Sequence, residues 1–290
     1  MELLRTPAHW IESVDFDHPT TRVEVDGVGV ECVDVGEGPV VLLMHGEPTW
    51  SYLYRSMIPP LVAAGFRVVA PDLVGFGRSD KPSLVEDHTY ARHVAWMTGW
   101  FDAMGLEAVT LFCQDWGGLI GLRVATARPD RFARLAVANT GLPTGDQRMP
   151  DAFVQWQNFA RTVEHFDVGS IVAGGVEGTL DTDVVAAYDA PFPDERHKAG
   201  PRAMPSLVPT SPDDPETGAN RRAWEVLARW NKPLLTLFSD KDPITAGGAR
   251  PFEKLVPGAR DQPHQTVAGA GHFLQEDAGP ELAQILINWS

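Results

Sequence analysis

The chain has 290 residues, a hydrophobic share of 43%, a charged share of 22% and a formal net charge of −15 at pH 7. This composition excludes a disordered chain, and one large domain with an insertion suits the length as well as two domains do. The negative charge argues against nucleic acid or an anionic membrane as a partner, because proteins bind both through basic patches.

Cysteine content and hydropathy indicate the compartment. Cys32 and Cys113 are too few and too far apart for a disulfide framework or a metal cluster. No apolar run approaches the ~20 residues of a membrane span, and the first residues lack the apolar stretch of a secretory signal. We therefore expect a cytoplasmic protein in a reducing compartment.

The first half of the chain predicts strands that alternate with helices. Residues 21–43 alternate valine with polar residues and turn at Asp26-Gly27, which predicts a hairpin. A buried strand at 39–44 is followed by a helix with apolar positions between 54 and 61. Further strands are predicted at 66–70, 109–112 and 135–139, and a helix at 90–104. This alternation requires a mainly parallel sheet covered by helices.

The pattern changes between residues 142 and 223. Prolines there separate short amphipathic pieces that are rich in Trp, Phe and Met. We predict that residues 142–223 form an inserted helical cap and that residues 1–141 and 224–290 form the α/β core. The core alternation resumes with strands at 233–238 and 264–267 and ends with a helix at 280–289.

A strand-to-helix switch at residues 109–125 carries the strongest functional signal. The strand breaks at CQDWGG, residues 113–118, and a helix follows. A sharp turn around one polar residue between small ones is the nucleophile elbow of α/β-hydrolases, and Asp115 stands where that pattern usually has serine. An aspartate is already ionised at neutral pH. It therefore needs no base to activate it before it attacks a carbon that bears a leaving group. The alternative role for Asp115 is an N-cap of the helix.

An acid and a histidine follow Asp115 in the chain order of α/β-hydrolases. Asp242 and Asp240 both come after the strand at 233–238; we favour Asp242 as the acid and interpret Asp240 as a turn residue. His272 follows the last strand in a glycine-rich loop. Because each candidate follows a strand, all should meet at the carboxyl edge of the sheet, where ligands bind in such folds.

Four segments closely resemble the haloalkane dehalogenases of the α/β-hydrolase superfamily, and the likeness extends over nearly the whole chain. They are HGEPTWSY at 45–52, CQDWGG at 113–118, DKDP at 240–243 and GHFLQE at 271–276. Because Glu47 follows His45-Gly46, the chain resembles the subgroup with an Asp, His, Asp triad and two halide-binding tryptophans. The other large subgroup has Asn at that position and a Glu acid.

This resemblance implies a role for each site residue. Asp115 is the nucleophile, His272 the base and Asp242 the acid that orients the base. Backbone N–H groups of Glu47 and Trp116 form the oxyanion hole, and the Glu47 side chain helps to hold the hydrolytic water.

Two tryptophans are implied as halide ligands. Trp116 gives one indole N–H to the departing halide. Residues 151–157 resemble the cap segment of the family, which implies Trp156 as the second donor; plain packing is the alternative for Trp156, and Trp224 is the next candidate. An indole suits a halide because it is a donor without an acceptor that would repel the anion.

The implied activity is hydrolysis of carbon–halogen bonds in haloalkanes. Attack by Asp115 forms an aspartyl ester and frees the halide, and His272 then activates a water that hydrolyses the ester. The products are an alcohol, a halide ion and a proton, and no cofactor or metal is needed. Gly75 and Gly77 lack the third glycine of a dinucleotide-binding loop. We expect a monomer whose partners are a small apolar halogenated substrate, water and halide.

Three other functions fit these residues less well. Epoxide hydrolases share the Asp elbow and the late His, but they need two cap tyrosines, and Tyr188 is the only tyrosine in the predicted cap. Fluoroacetate dehalogenases carry arginines where this chain has Trp116-Gly117. A binding protein on a retired hydrolase scaffold has no use for an intact triad.

Overall fold

The computed structural model describes residues 1–290 and contains ten strands. The strands are β1 Leu3–Leu4, β2 Thr20–Val25, β3 Val28–Val35, β4 Val40–Met44, β5 Arg67–Pro71, β6 Lys81–Pro82, β7 Val109–Gln114, β8 Phe132–Ala138, β9 Leu234–Ser239 and β10 Gln265–Val267. Eight of them form one sheet in the order β10-β9-β8-β7-β4-β5-β3-β2, and β1 pairs with β6 in a separate ribbon that the sequence patterns did not predict.

The central part of the sheet is parallel, as predicted. Strand β4 runs parallel to both β5 and β7, and the parallel pairing continues through β8 and β9 to β10. Only β2 and β3 pair antiparallel to their neighbours. Strand β7 is buried along its whole length, because helices cover both faces of a parallel sheet. The predicted hairpin at Asp26-Gly27 is confirmed, with positive φ at both residues.

Eleven α-helices accompany the strands, and none is long and apolar enough to cross a membrane. They are α1 Ala8–Ile11, α2 Ile58–Ala63, α3 Tyr90–Ala103, α4 Trp116–Ala127, α5 Asp151–Thr162, α6 Val168–Gly174, α7 Thr182–Asp189, α8 Ala199–Leu207, α9 Thr217–Leu227, α10 Ala249–Leu255 and α11 Leu274–Trp289.

Two predicted helices differ from the observed ones. The single helix expected across 54–61 is a 3₁₀ turn, Ser51–Tyr54, followed by α2. Prolines 59 and 60 lack N–H groups, so they fit only the first turn of a helix that begins at Ile58. The closing helix begins at Leu274 rather than at 280, and its backbone is kinked at Ala278, shortly before Pro280.

Between β8 and β9 the chain forms five α-helices, one 3₁₀ turn and no strand. The last of them, α9, runs across the predicted limit at residue 223 and packs against core helix α4. Arg123 of α4 contacts Glu216 at 3.1 Å and Asn220 at 3.1 Å. The end of this inserted segment is therefore held by side chains of the core.

Two adjacent carboxylates of α11 attach the inserted segment to the core. Glu276 accepts hydrogen bonds from Arg55 of the core and from Tyr188 of α7. Asp277 accepts from the backbone N–H of Gly178 at 3.1 Å and from that of Gly271 at 2.8 Å. The loop before His272 and the segment after α6 are thus held by the same side chain.

Candidate active site

Asp115 occupies the sharp turn between β7 and α4. Its φ of 50° lies in the left-handed region, which is strained for a residue with a Cβ. Small neighbours make the turn possible: a Cβ on Gly117 would collide with the carbonyl of Met44, and one on Gly118 would collide with Thr140. The sequence folds locally in this way because the crowded positions after Asp115 carry no side chain.

The carboxylate of Asp115 faces the loop after β4. Its Oδ1 accepts the backbone N–H of Glu47 at 2.8 Å, and a Cβ on Gly46 would overlap the same carboxylate. Asp115 stands at the N-cap position of α4, but its side chain makes no capping hydrogen bond, so capping is not the role of the carboxylate. The Trp116 N–H is the first of the helix and has no acceptor within it. The Glu47 N–H thus already donates to an oxygen of the Asp115 carboxylate, as a donor to an oxyanion there would have to.

His272 lies between two aspartates. Its Nδ1 is 2.9 Å from Asp242 Oδ2, and its Nε2 is 3.5 Å from Asp115 Oδ2. Asp242 also accepts from the backbone of Ile244 at 2.8 Å. Asp240 accepts instead from the backbone N–H of Gly269 and makes no contact with His272. The structure therefore brings Asp242, and not Asp240, to the histidine.

The charges around His272 favour its protonated form. Burial lowers the pKa of the ring, but the carboxylates of Asp242 and Asp115 outweigh burial and raise that pKa to about 10. Burial raises the pKa of Asp242, and His272 outweighs it, so that this carboxyl titrates below its usual range. In the resting site the two carboxylates therefore favour the imidazolium form of His272.

Glu47 is a buried acid beside Asp115. Burial and the charge of Asp115 raise the pKa of its carboxyl well above the usual value, against the influence of His272 and the Trp156 indole. Its Oε1 is buried without a hydrogen-bond partner in the protein. Burial and Asp115 therefore shift Glu47 towards its neutral acid, and its Oε1 has no partner in the protein.

Five of the six predicted site residues line one cavity of about 1150 Å³; the sixth, Asp242, is held on His272 Nδ1 and is not part of the lining. The cavity lies between the carboxyl edge of the sheet and the inserted helices, and most of its surface is apolar. Leu119, Phe153 and Ile171 belong to its walls, as do Val208 and Phe252. An apolar chamber with a few polar groups at one end suits a small apolar molecule with one reactive polar bond.

The tryptophans of this cavity differ in their hydrogen bonding. Trp224 donates its indole N–H to the carbonyl of Leu142 at 2.7 Å, so it has no free donor. Trp116 is 2% exposed and Trp156 is half-buried. Both line the cavity with the Asp115 carboxylate, and the ring of Trp156 packs against Phe159. Of these three tryptophans, Trp224 alone has its indole N–H held by a backbone carbonyl, and the Trp156 indole lies beside the Glu47 carboxyl.

Gln114 and Asn139 belong to the site but were not predicted from the sequence. The Gln114 amide nitrogen lies 3.2 Å from His272 Nε2. Asn139 donates to the carbonyls of Gly271 and His272, each at 3.0 Å, and so holds the loop that carries the base. Both are polar residues at the carboxyl end of a buried strand, and this position was the signal that could have identified them.

The cavity does not fit the epoxide hydrolase alternative. No tyrosine lines it, and the only tyrosine of the inserted segment, Tyr188, is fully buried and donates its hydroxyl to Glu276. Protonation of an epoxide oxygen by paired tyrosines therefore has no donors in this site.

Comparisons with known proteins agree with one another. The α/β hydrolase fold family model matches residues 39–279. A haloalkane dehalogenase of Psychrobacter cryohalolentis is 50% identical to this chain, with 100% of this chain and 98% of the relative covered. One of Mycolicibacterium paratuberculosis is 51% identical, with coverage of 100% and 98%. Among solved structures, haloalkane dehalogenase DpaA of Paraglaciecola agarilytica, described as tetrameric, has 34% identity and a TM-score of 0.91 over 98% of this chain and 97% of its own.

Proposed function

Because the chain belongs to the haloalkane dehalogenases of the α/β-hydrolase fold, we propose how its own residues hydrolyse a carbon–halogen bond. One contact carries the proposal: His272 Nε2 lies 3.5 Å from Asp115 Oδ2 at the polar end of an apolar cavity. A nucleophile and a base at this separation can act in turn on the same carbon and its ester.

The first step is a substitution by Asp115. Its Oδ2 attacks the carbon opposite the halogen; the new C–O bond forms as the C–halogen bond breaks, and the halide leaves with the bonding electron pair. Oδ2 is the attacking atom because Oδ1 is held by the Glu47 N–H. The indole N–H groups of Trp116 and Trp156 receive the halide, whose charge develops in low-dielectric surroundings.

Formation of the ester prepares His272 for the second step. Alkylation removes the charge of Asp115, which is one of the two carboxylates that raise the pKa of His272. The pKa of the ring therefore falls, and the ring releases its proton to solvent. The neutral imidazole keeps its Nδ1–H on Asp242 and presents the lone pair of Nε2 to a water.

The second step is hydrolysis of the ester. His272 takes a proton from the water as its oxygen attacks the ester carbonyl, and the oxyanion that forms lies against the N–H groups of Glu47 and Trp116. Collapse expels the alkoxide, which His272 protonates to the alcohol. Asp115 then returns its remaining proton to His272, and one oxygen of the water stays in its carboxylate.

The extent of the cap, the oligomeric state and the location complete the proposal. We assign residues 142–223 to a cap that closes the cavity over the sheet edge. We retain the expectation of a monomer, although a structural relative is described as tetrameric, and light scattering after gel filtration tests it. A cytoplasmic location is favoured by the two free, buried cysteines.

The experiment for the function is a halide-release assay. Purified protein without added metal or nucleotide should release bromide and the matching alcohol in equal amounts from a panel of short bromoalkanes. An epoxide of the same chain length serves as the control and should remain intact. Turnover of the epoxide without bromide release from any member of the panel would overturn the proposal.

The proposed halide site predicts the effect of Trp156→Phe. This change removes one N–H from an anion in an apolar cavity, so we expect halide to bind about 10- to 100-fold more weakly, the cost of a hydrogen bond to a charged group. Quenching of tryptophan fluorescence by bromide measures the change. Trp224→Phe is the control. The midpoint of its bromide quenching curve should equal that of wild type, because the Trp224 N–H is already bonded to the Leu142 carbonyl. Equal midpoints for wild type and Trp156→Phe would place the second donor elsewhere.

The neutral form of Glu47 predicts a contrast between two substitutions. Glu47→Gln replaces one neutral polar group by another, so ester hydrolysis should stay within about threefold of wild type. Glu47→Ala removes the group that holds the water and should slow that step about tenfold, the value of one hydrogen bond. Rapid-quench measurement of alcohol formation distinguishes them. Equal losses in both variants would show that the negative charge of Glu47 is needed.

A further inference from the structure

Gln114 is a buried amide in contact with the base. It is the last residue of β7, it is fully buried, and it directly precedes Asp115. Its amide nitrogen lies 3.2 Å from His272 Nε2 and 3.1 Å from the carbonyl oxygen of His272. Its Oε1 is buried and has no hydrogen-bond partner in the protein. The mechanism described above does not use this side chain.

The orientation of the Gln114 amide follows from its partners. A carbonyl oxygen can only accept, so the amide atom 3.1 Å from the His272 carbonyl must be the NH₂ group; the flipped amide would set two carbonyl oxygens against each other. The two hydrogens of that nitrogen can serve two acceptors. Towards His272 Nε2 the amide can therefore only donate.

The Gln114 amide N–H beside Nε2 interacts differently with the neutral and the protonated ring of His272. The neutral ring with its proton on Nδ1 accepts at Nε2, whereas the imidazolium would point an N–H at the amide N–H. The charged or titratable groups that face the ring are Asp242 after β9, Asp115 at the elbow and Glu47 after β4. The first two favour the imidazolium, and Glu47 is favoured as a neutral acid. Gln114 is the group that opposes them.

We propose that Gln114 is a positioning residue for ester hydrolysis, whose amide N–H stabilises the neutral form of His272 once Asp115 has been alkylated. The proposal rests on the proposed function and deepens its second step. While Asp115 is charged, the two carboxylates dominate. When the ester removes that charge, the amide donor favours a ring that can accept the proton of water. At 3.2 Å the contact is at the long end of hydrogen-bond distances, so the amide is a weak donor to Nε2.

The same contact aids the transfer of the proton to the product. After the ring has taken a proton from water, its Nε2–H lies against the amide N–H of Gln114, which disfavours that state. The proton therefore passes on to the leaving alkoxide instead of remaining on the ring. Gln114 thus acts through His272 Nε2 and exchanges no proton of its own.

The test separates the two chemical steps as a function of pH. Wild type, Gln114→Met and Gln114→Glu are mixed with excess bromoalkane between pH 5 and 10; bromide in the first turnover reports ester formation, and alcohol reports hydrolysis. Gln114→Met removes the donor, so the inflection of the hydrolysis rate should move up by about one pH unit, the size of one neutral hydrogen bond. Hydrolysis below the inflection becomes about tenfold slower, while the plateau and the bromide burst stay within about twofold.

Gln114→Glu should shift the inflection further, because a carboxylate accepts the Nε2–H and stabilises the imidazolium. The pH of the inflection is therefore expected to rise from wild type to Gln114→Met and again to Gln114→Glu. Gln275→Met is the matched control: Gln275 is 1% exposed, lies three residues after His272, and its amide atoms have no hydrogen-bond partner. It should keep the wild-type inflection. Equal melting temperatures would show that the folds are intact.

Two results would overturn the role of Gln114. One is an unchanged inflection in both Gln114 variants; the other is an equal loss of hydrolysis at every pH, as a purely structural defect would give. Either result leaves the wild-type bromide burst in place, so it is distinguishable from failure of the proposed function, in which wild type itself gives no burst.

Discussion

Replacement of Asp115 by alanine is expected to lower kcat/KM for bromoalkanes by at least about 10⁴-fold, the scale on which loss of a nucleophile acts. No other carboxylate can take its place. Glu47 is favoured as a neutral acid, and Asp242 lies on the far side of the His272 ring, 2.9 Å from Nδ1. Bromide release at fixed substrate concentration measures the loss.

Asp240→Ala is the control for this substitution. Asp240 is an aspartate in the neighbouring turn whose carboxylate binds the backbone N–H of Gly269 and does not contact the triad. Its loss should leave kcat/KM within about threefold of wild type, as for an exposed side chain away from the reaction. Activity of the Asp115 variant above one-tenth of wild type would rule out direct attack by this residue.

Labelled water tests the same step without a substitution. In a single turnover in H₂¹⁸O, the scheme places heavy oxygen in the Asp115 carboxylate, and the alcohol carries the unlabelled oxygen of Asp115. Mass spectrometry of the peptide that contains residue 115 detects the label. Heavy oxygen in the first equivalent of alcohol, with an unlabelled peptide, would mean that water attacks the substrate directly.

Replacement of His272 by alanine is expected to stop the reaction after one bromide per protein molecule. Substitution by Asp115 needs no base, whereas ester hydrolysis does, so kcat should fall by at least about 10³-fold while the first bromide is still released. The alkyl group should remain on Asp115 as added mass. Continued turnover, or bromide release with an unmodified Asp115, would contradict the two-step scheme.

His264→Ala is the control for the trapped ester. His264 directly precedes β10, at the opposite end of that strand from His272, and its ring binds the backbone of Thr236 and the carbonyl of Ala259, outside the cavity. This substitution can lower stability, yet it should trap no ester. If the His264 variant also trapped the ester, weakened folding rather than loss of the base would explain why the ester accumulates.

The proposed mechanism also fixes the direction of the pH dependence. Hydrolysis requires neutral His272, so its rate should fall as the pH drops through the pKa of the ring in the ester. That pKa lies below the value of about 10 in the resting site, since alkylation removes the charge of Asp115. Ester formation requires only the carboxylate of Asp115. Hydrolysis is therefore the step that becomes limiting as the medium is acidified.

Much of the fold was predictable because its signals are local. The hairpin at Asp26-Gly27 and the strand-to-helix switch around Asp115 depend on residues within a few positions of one another. The errors were local as well: prolines 59 and 60 divided an expected helix, and Pro280 kinks a helix that begins six residues earlier. Apolar periodicity alone does not contain these breaks, because it ignores which residues lack an N–H.

The sequence by itself determined the alternation of strands and helices and the crowded elbow at Asp115. It also determined that the candidate polar residues lie at the carboxyl edge of the sheet, because each follows a strand. Only the tertiary structure decided that Asp242 rather than Asp240 reaches His272, that the Trp224 N–H is occupied by Leu142, and that the Gln114 amide lies against the base. Side-chain periodicity and turn chemistry act between neighbours in the chain. These contacts join residues 30 to 158 positions apart, so their geometry exists only when the sheet has assembled.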